Sequence, residues 1–224
     1  MHRKQITFDV VDTATGACER GRIGPANRES FRRWLVRALQ ERGALRHVYV
    51  GETRPLLQGC RLTTWELTQL GVPHTLVADA AGPSVIARGL VNAVVVGADR
   101  IAANGDVINK IGTYPLALAA HRAGIPFVVA APESTVDAAT PTGADVHIEV
   151  RDEVELTHFA GTRLSPKETR ALNYAFDITP AELVTVIVTQ RRALEGDPAA
   201  RHNDARQICG AGLGRRRLTT FGPT

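Results

Sequence analysis

The stretch from Ala93 to Tyr114, AVVVGADRIAANGDVINKIGTY, decides how the chain is read. Ala93-Val94-Val95-Val96 is an unbroken apolar, β-branched run. It predicts a strand buried on both faces, as in a parallel sheet. Gly97-Ala98 follows, then the charged pair Asp99-Arg100. A carboxylate at the C-terminal end of such a strand stands where open α/β sheets place ligands. Asn104-Gly105 and Gly105-Asp106 are turn signals. Asn109-Lys110 comes next, and Ile111-Gly112-Thr113-Tyr114 leads into an Ala/Leu-rich helix predicted from about Lys110 to Arg122. Strand, acid, turn, amide with ammonium, helix: that order predicts a small-molecule site. A plainer reading fits the same residues. A strand-end Asp can cap a loop or pair with the adjacent Arg100, and Asn-Lys entering a helix can be a cap and a solvated charge. The residue types alone leave both readings open.

The alternation extends on both sides. His47-Val48-Tyr49-Val50 predicts a strand, and Gly51-Glu52-Thr53-Arg54-Pro55 a polar turn. Arg61 to Leu70 predicts a helix ended by Gly71, with Pro73 beyond it. Thr75-Leu76-Val77-Ala78 predicts a strand ending at Asp79, and Ser84 to Arg88 a short helix. Phe127 to Ala131 and Val146 to Val150 predict further strands. Pro180 opens a predicted helix with Thr179 as N-cap and Glu182 as its capping-box partner. Strands alternating with helices predict an α/β fold, a Rossmann-like, doubly wound parallel sheet. Its strand ends bring Glu52-Thr53-Arg54, Asp79, Asp99 and Ala131-Pro132-Glu133 to one edge. Gln58-Gly59 precedes a helix, where backbone N–H groups can meet a phosphate. No Gly-x-Gly-x-x-Gly or Walker pattern is present, so neither a dinucleotide nor ATP is indicated.

The ends are less regular. Ile6 to Val11 reads as a strand. Arg28 to Arg42 carries Phe31, Trp34, Leu35 and Leu39 at helical spacing, with Trp34 as a core-facing residue. The chain divides into an atypical segment 1–34, a Rossmann-like domain 35–190 and a flexible basic tail 191–224. Its 224 residues suffice for one domain with a sizeable core. The net charge of +4 comes largely from Arg near both ends. That pattern favours solvated ends over a nucleic-acid surface. Cys18, Cys60 and Cys209 are far apart and show no ligand spacing, which argues against a zinc site or a disulfide framework. They fit a reducing, cytoplasmic setting. No apolar run approaches a membrane span, and no apolar segment follows the basic start to make a signal peptide.

Five further strings narrow the reading. Glu52-Thr53-Arg54-Pro55-Leu56-Leu57-Gln58-Gly59 resembles the ETRP-x-x-QG motif of the methylthioribose-1-phosphate isomerases. So do Gly97-Ala98-Asp99-Arg100-Ile101 with Asn104-Gly105-Asp106, Asn109 to Tyr114, Ala130-Ala131-Pro132, and Phe176-Asp177-Ile178-Thr179-Pro180, in the family's order and spacing. The wider family includes ribose-1,5-bisphosphate isomerases and the regulatory subunits of the exchange factor for translation initiation factor 2. The resemblance implies conversion of 5-methylthioribose 1-phosphate to 5-methylthioribulose 1-phosphate in methionine salvage. It assigns the ring-opening acid to Asp99 and substrate contacts to Gln58, Asn109 and Lys110. An apolar, water-poor pocket would suit that acid. The resemblance implies no metal or organic cofactor, and a homodimer.

The chain also departs from the family pattern. The family's second catalytic group is a Cys in a His-Cys-Asn-x-Gly segment, which has no counterpart here. Carried back without a gap from Glu52, its position falls on Glu19, beside Cys18. Cys18 is either a register accident or a replacement for that catalytic group. An N-terminal, largely helical domain with an Arg-Gly-Ala phosphate contact has no match in residues 1–34. Two functions follow: an isomerase domain, whole or truncated and weakly active, or a non-catalytic dimerising module like the initiation-factor subunits. Retention of Asp99, Asn109 and Lys110 favours the first.

Overall fold

The computed structural model describes residues 6–11, 18–23, 43, 45–189, 191–195 and 216–217. The helix expected over Arg28 to Arg42 and most of the basic tail lie outside them. In chain order, β1 (Ile6–Val11) and β2 (Cys18–Ile23) make an antiparallel pair in which Cys18 opposes Val11. Next come β3 (Val48–Gly51), a π-helical turn (Gly59–Thr63), α1 (Thr64–Gln69) and β4 (His74–Val77). β3 and β4 run parallel, and Gly71 beyond α1 takes φ +65°, as the Gly-then-Pro signal expects. Then follow α2 (Gly82–Ala87), β5 (Val94–Val96), β6 (Arg100–Ala102), β7 (Val107–Lys110), α3 (Thr113–Ala123), β8 (Phe127–Ala130) and β9 (Val136–Asp137). The remaining elements are β10 (Val150–Arg151), α4 (Val154–Thr157), β11 (His158–Phe159), β12 (Thr162–Arg163), β13 (Asn173–Tyr174), β14 (Phe176–Thr179), β15 (Val186–Val188), β16 (Ala193–Glu195) and β17 (Arg216–Arg217).

The α/β class stands, but the sheet is mixed. β5, β8 and β15 are parallel neighbours, with β16 antiparallel to β15. A second sheet has the order β14-β7-β6-β9, and there β7 runs antiparallel to both β6 and β14. The expectation of parallel pairing throughout this region is therefore corrected. Asn104-Gly105 is a hairpin turn, with Gly105 at φ +92°, and β-branched Val107-Ile108 continue as its second strand. Asn109 and Lys110 consequently end a strand instead of starting a helix. The helix begins at Thr113, after Gly112 at φ +102°.

Three more expectations change. The apolar run predicts β5 buried on both faces, yet Val95 is 42% exposed and β5 ends its sheet among the described residues. The strand buried along its whole length is β8. The Pro180 helix is a single 3-10 turn, Ala181–Leu183, and β-branched Val186-Ile187-Val188 then enter β15. Thr179 Oγ1 is buried without a partner, so it caps nothing. Of the strand expected over Val146 to Val150, only Val150 is paired, within β10.

The main core joins Ile101 and Val107 of the hairpin to Ala117 and Ala120 of α3, Phe127 and Val129 of β8, and Ile187 of β15. Small residues on α3 let the helix lie close to the sheet. A smaller cluster, Val50, Leu67 and Val72, holds α1 against β3. No helix among the described residues is long and apolar enough to cross a membrane.

Candidate active site

The turn after β3 is shaped by Asp79, which follows β4. Its Oδ1 accepts from Thr53 N at 2.8 Å and its Oδ2 from Arg54 N at 2.7 Å. These two bonds hold Thr53 at φ +64°, a conformation that is strained for a β-branched residue. Arg54 extends its guanidinium to the carbonyl oxygens of Glu155 and Leu156. At Gly59 a Cβ would sit 1.9 Å from Gly51 O, so only glycine lets the chain pass so close to β3. Cys60 N already donates to Glu52 O, so that amide is not available to a phosphate. Gln58, just before it, has a buried Oε1 with no hydrogen-bond partner. A buried amide oxygen left unpaired is an uncommon cost, and a ligand donor would remove it.

Asp99 stands between β5 and β6. Asp99 N donates to Ile108 O at 2.8 Å, while Arg100 is the register partner of Ile108. Two residues thus oppose one, the geometry of a β-bulge, which re-aims a side chain at the end of a ladder. Arg100 pairs with Asp137 at 3.2 Å. Asp99 is exposed on the chain as described, so the water-poor surroundings expected for it are not supplied by the described residues.

Alternation along β7 sends Asn109 and Lys110 to opposite faces. Asn109 is buried, and its Nδ2 donates to Thr113 Oγ1 at 2.9 Å, under the start of α3. Lys110 faces the charged side. Burial, and then the Arg151 guanidinium, push its ammonium below the ordinary lysine range; Glu155, Asp99 and Asp79 oppose that shift in decreasing order. Lys110 is therefore the point where the Thr53-Arg54 turn (through Asp79), the Asp99 bulge and α4 meet electrostatically.

Arg151 and Glu155 were not among the residues singled out from the sequence. Arg151 Nε donates to both Glu155 carboxylate oxygens, at 3.1 and 3.0 Å, and Glu155 Oε2 also accepts from Asn173 Nδ2. The only local signal was their spacing of four residues, with Arg151 ending β10 and Glu155 inside α4. Asp177 lay inside a quoted motif but carried no role. Cys18 sits on β2, and the thiol is outside the described side chains. Among the described residues, no group of three or more His, Cys, Asp or Glu gathers as a metal site would.

Residues 29–195 match the sequence pattern of the initiation factor 2 subunit family. The chain belongs to that family. Within it, the chain is 58% identical over 165 residues to a protein of Nocardia farcinica named as a probable bifunctional methylthioribose-1-phosphate isomerase/methylthioribulose-1-phosphate dehydratase; the match covers 74% of this chain and 30% of that protein. It is 56% identical to a methylthioribose-1-phosphate isomerase of Chloroflexus aurantiacus, over 70% of this chain and 45% of that enzyme. The crystal structure of 5-methylthioribose 1-phosphate isomerase from Pyrococcus horikoshii superimposes with a TM-score of 0.69 at 44% identity, over 71% of this chain and 45% of that one. A translation initiation factor eIF-2B delta subunit from A. fulgidus gives the same TM-score at 39% identity, over 79% and 50%. The chain thus spans half or less of the length of these relatives.

Proposed function

We propose that this member of the initiation factor 2 subunit family is an isomerase domain for 5-methylthioribose 1-phosphate. The carrying observation is the environment of Lys110. A partly buried ammonium feels the charge of a strand-end acid, Asp99, and of Asp79, the carboxylate that shapes the turn before Gln58. The named relatives at 56 and 58% identity support the same chemistry. A substrate phosphorylated at its anomeric carbon cannot open as a free hemiacetal. Asp99 would donate a proton to the ring oxygen as the ring C–O bond breaks; hydride would then pass from carbon 2 to the cationic carbon 1, and the 2-hydroxyl proton would return to the Asp99 carboxylate as the carbonyl forms. Lys110 would hold sugar oxygens or the phosphate, Gln58 Oε1 would accept from a sugar hydroxyl, and Asn109 would fix the strand end that presents them. Cys18, whose side chain lies outside the described residues, is the chain's candidate for the second catalytic group.

The parallel pieces β3-β4 and β5-β8-β15 are read as parts of one Rossmann-like, doubly wound sheet, and two copies of the chain as a homodimer. The setting is methionine salvage in the cytoplasm. The test is incubation of the chain with 5-methylthioribose 1-phosphate, followed by carbon-13 NMR for the ketose carbonyl, with calorimetric titration in parallel. Formation of 5-methylthioribulose 1-phosphate supports the reading. A folded chain that neither binds nor converts the sugar phosphate overturns it.

A further inference from the structure

Helix α3 has no cap of its own. Its N-cap is Gly112, in the left-handed region and without a side chain to offer. The first N–H groups of a helix need acceptors, and one buried without them costs stability. Asp177 supplies them from another strand, 65 residues away in sequence. Its Oδ2 accepts from Gly112 N at 2.8 Å and from Tyr114 N at 3.1 Å. Asp177 lies on β14 and is the direct register partner of Asn109 on β7. Directly opposed residues share a face, so both side chains lie beneath the start of α3. Asn109 reaches Thr113 there, and Thr113 Oγ1 donates to Lys110 O at 2.7 Å. Ile111 N donates to Ala175 O, two residues before Asp177. Bonds that shape the elbow from Lys110 to Tyr114 thus run to Asp177, to Ala175 just before β14, and within the elbow itself through Asn109 and Thr113.

We propose that Asp177 is a positioning residue: by capping α3 from β14 it fixes the elbow, braced from within by Asn109, that presents Lys110. The proposal rests on the isomerase reading for what Lys110 holds, but not for the geometry. A second observation separates it from an ordinary cap. Asp177 Oδ1 is buried with no partner, and burial pushes the carboxyl above the usual aspartate range. The fold accepts a costly carboxylate where it is tied to two amides of one loop.

The experiment compares wild type with Asp177→Ala and Asp177→Asn, in the full chain. Hydrogen exchange is read over residues 109–116 and over β8 as an internal control. Loss of the cap should speed exchange about tenfold in 109–116 and leave β8 little changed, with Asn restoring most of the protection because its carbonyl still accepts. In the turnover assay Asp177→Ala should raise KM or lower kcat by up to about 10²-fold, beyond any loss of folded protein, with rescue by Asn. A uniform rise in exchange over the whole chain, or no rise at all, overturns the proposal. So does local loosening with unchanged KM and kcat. A wild type that neither turns over nor binds the sugar phosphate refutes the isomerase reading instead, and the exchange pattern alone then decides the role of Asp177.

Discussion

Asp106→Ala should lower stability by about 2–4 kcal/mol without touching the chemistry of the site. Asp106 ends the Asn104-Gly105-Asp106 turn and is half-buried. Its Oδ2 accepts from Asn104 Nδ2 and from Gly143 N, both at 2.9 Å, and its Oδ1 accepts from Ala181 N at 3.0 Å. One carboxylate therefore ties the hairpin to two loops, 37 and 75 residues away. The bond to Asn104 is local and contributes little. The other two are charge-assisted bonds to backbone, of about 1.5–3 kcal/mol each, and Gly143 is buried, so no water replaces its acceptor freely. Ala181 is partly exposed, which discounts its share. For a chain of this size a loss of 2–4 kcal/mol corresponds to a fall in Tm of about 5–15 °C. Urea unfolding would give the same loss as a shift in midpoint at constant slope. Asp106→Asn keeps one acceptor and turns an NH2 toward the other amide, so about half the loss should remain. A supporting case is Gly143→Ala, whose Cβ would meet Ile178 Cγ2 at 2.5 Å. An Asp106→Ala chain melting within about 1 °C of wild type would refute the reasoning.

Asp99→Asn should reduce turnover of 5-methylthioribose 1-phosphate by about 10²–10⁴-fold at nearly unchanged Tm, since an amide cannot deliver the ring-opening proton; full turnover in a folded variant would sink that assignment. Lys110 carries an ammonium pushed below its ordinary value of 10.5. A depressed base contributes stability above its unfolded value and loses it as pH falls through the folded one, so at neutral pH the charged group opposes folding. Lys110→Met should therefore melt higher at about pH 7 while binding the sugar phosphate more weakly; a lower Tm with unchanged affinity would contradict this. Asp177 shifts the other way, upward from 3.8 through burial. Its contribution is present below that value and lost as pH rises through the folded one. Thermal melts of wild type and Asp177→Asn should diverge in favour of Asn between about pH 4 and pH 7; a constant difference would contradict the burial argument.

The motif residues were legible in the sequence because they are local. Gln58, Asp99, Asn109 and Lys110 stand in short strings whose turn signals are visible at close range. What failed was the assignment of pairing. Val94-Val95-Val96 and Phe127-Val128-Val129 look alike as apolar runs, and nothing in either run says which has neighbours on both sides. Asn104-Gly105 reads as a turn signal, and flanking Ile101 and Val107 make that turn a hairpin. Taken as a turn alone, it puts Asn109-Lys110 at a helix start. Arg151 and Glu155 approach Lys110 from 41 and 45 residues further along, a distance over which one sequence carries no contact information. Asp177 was visible only as part of a string, because a cap supplied by a different strand leaves no N-cap pattern beside its helix.

Three uncompensated costs of this fold lie near the candidate site, while others, at Ser165 Oγ and Thr179 Oγ1, belong to no part of it. Gln58 Oε1 is buried without a partner, Lys110 is partly desolvated and faces a like charge on Arg151, and Asp177 Oδ1 is buried beside a helix start. A sequence selected only for stability would remove each of them: Met would serve at 110, and an apolar residue at 58. Such violations of local rules persist where function requires them. The three lie on one connected path. Gln58 follows the turn that Asp79 holds, Asp79 acts on Lys110, and Lys110 is covalently next to Asn109, which Asp177 faces across the ladder. Asp106, by contrast, has every carboxylate oxygen satisfied and ties loops that carry none of these residues. The difference separates two kinds of motif residue. Asp106 serves the scaffold, while the buried Gln58 Oε1 and the desolvated Lys110 ammonium are costs that a bound, polar ligand would offset.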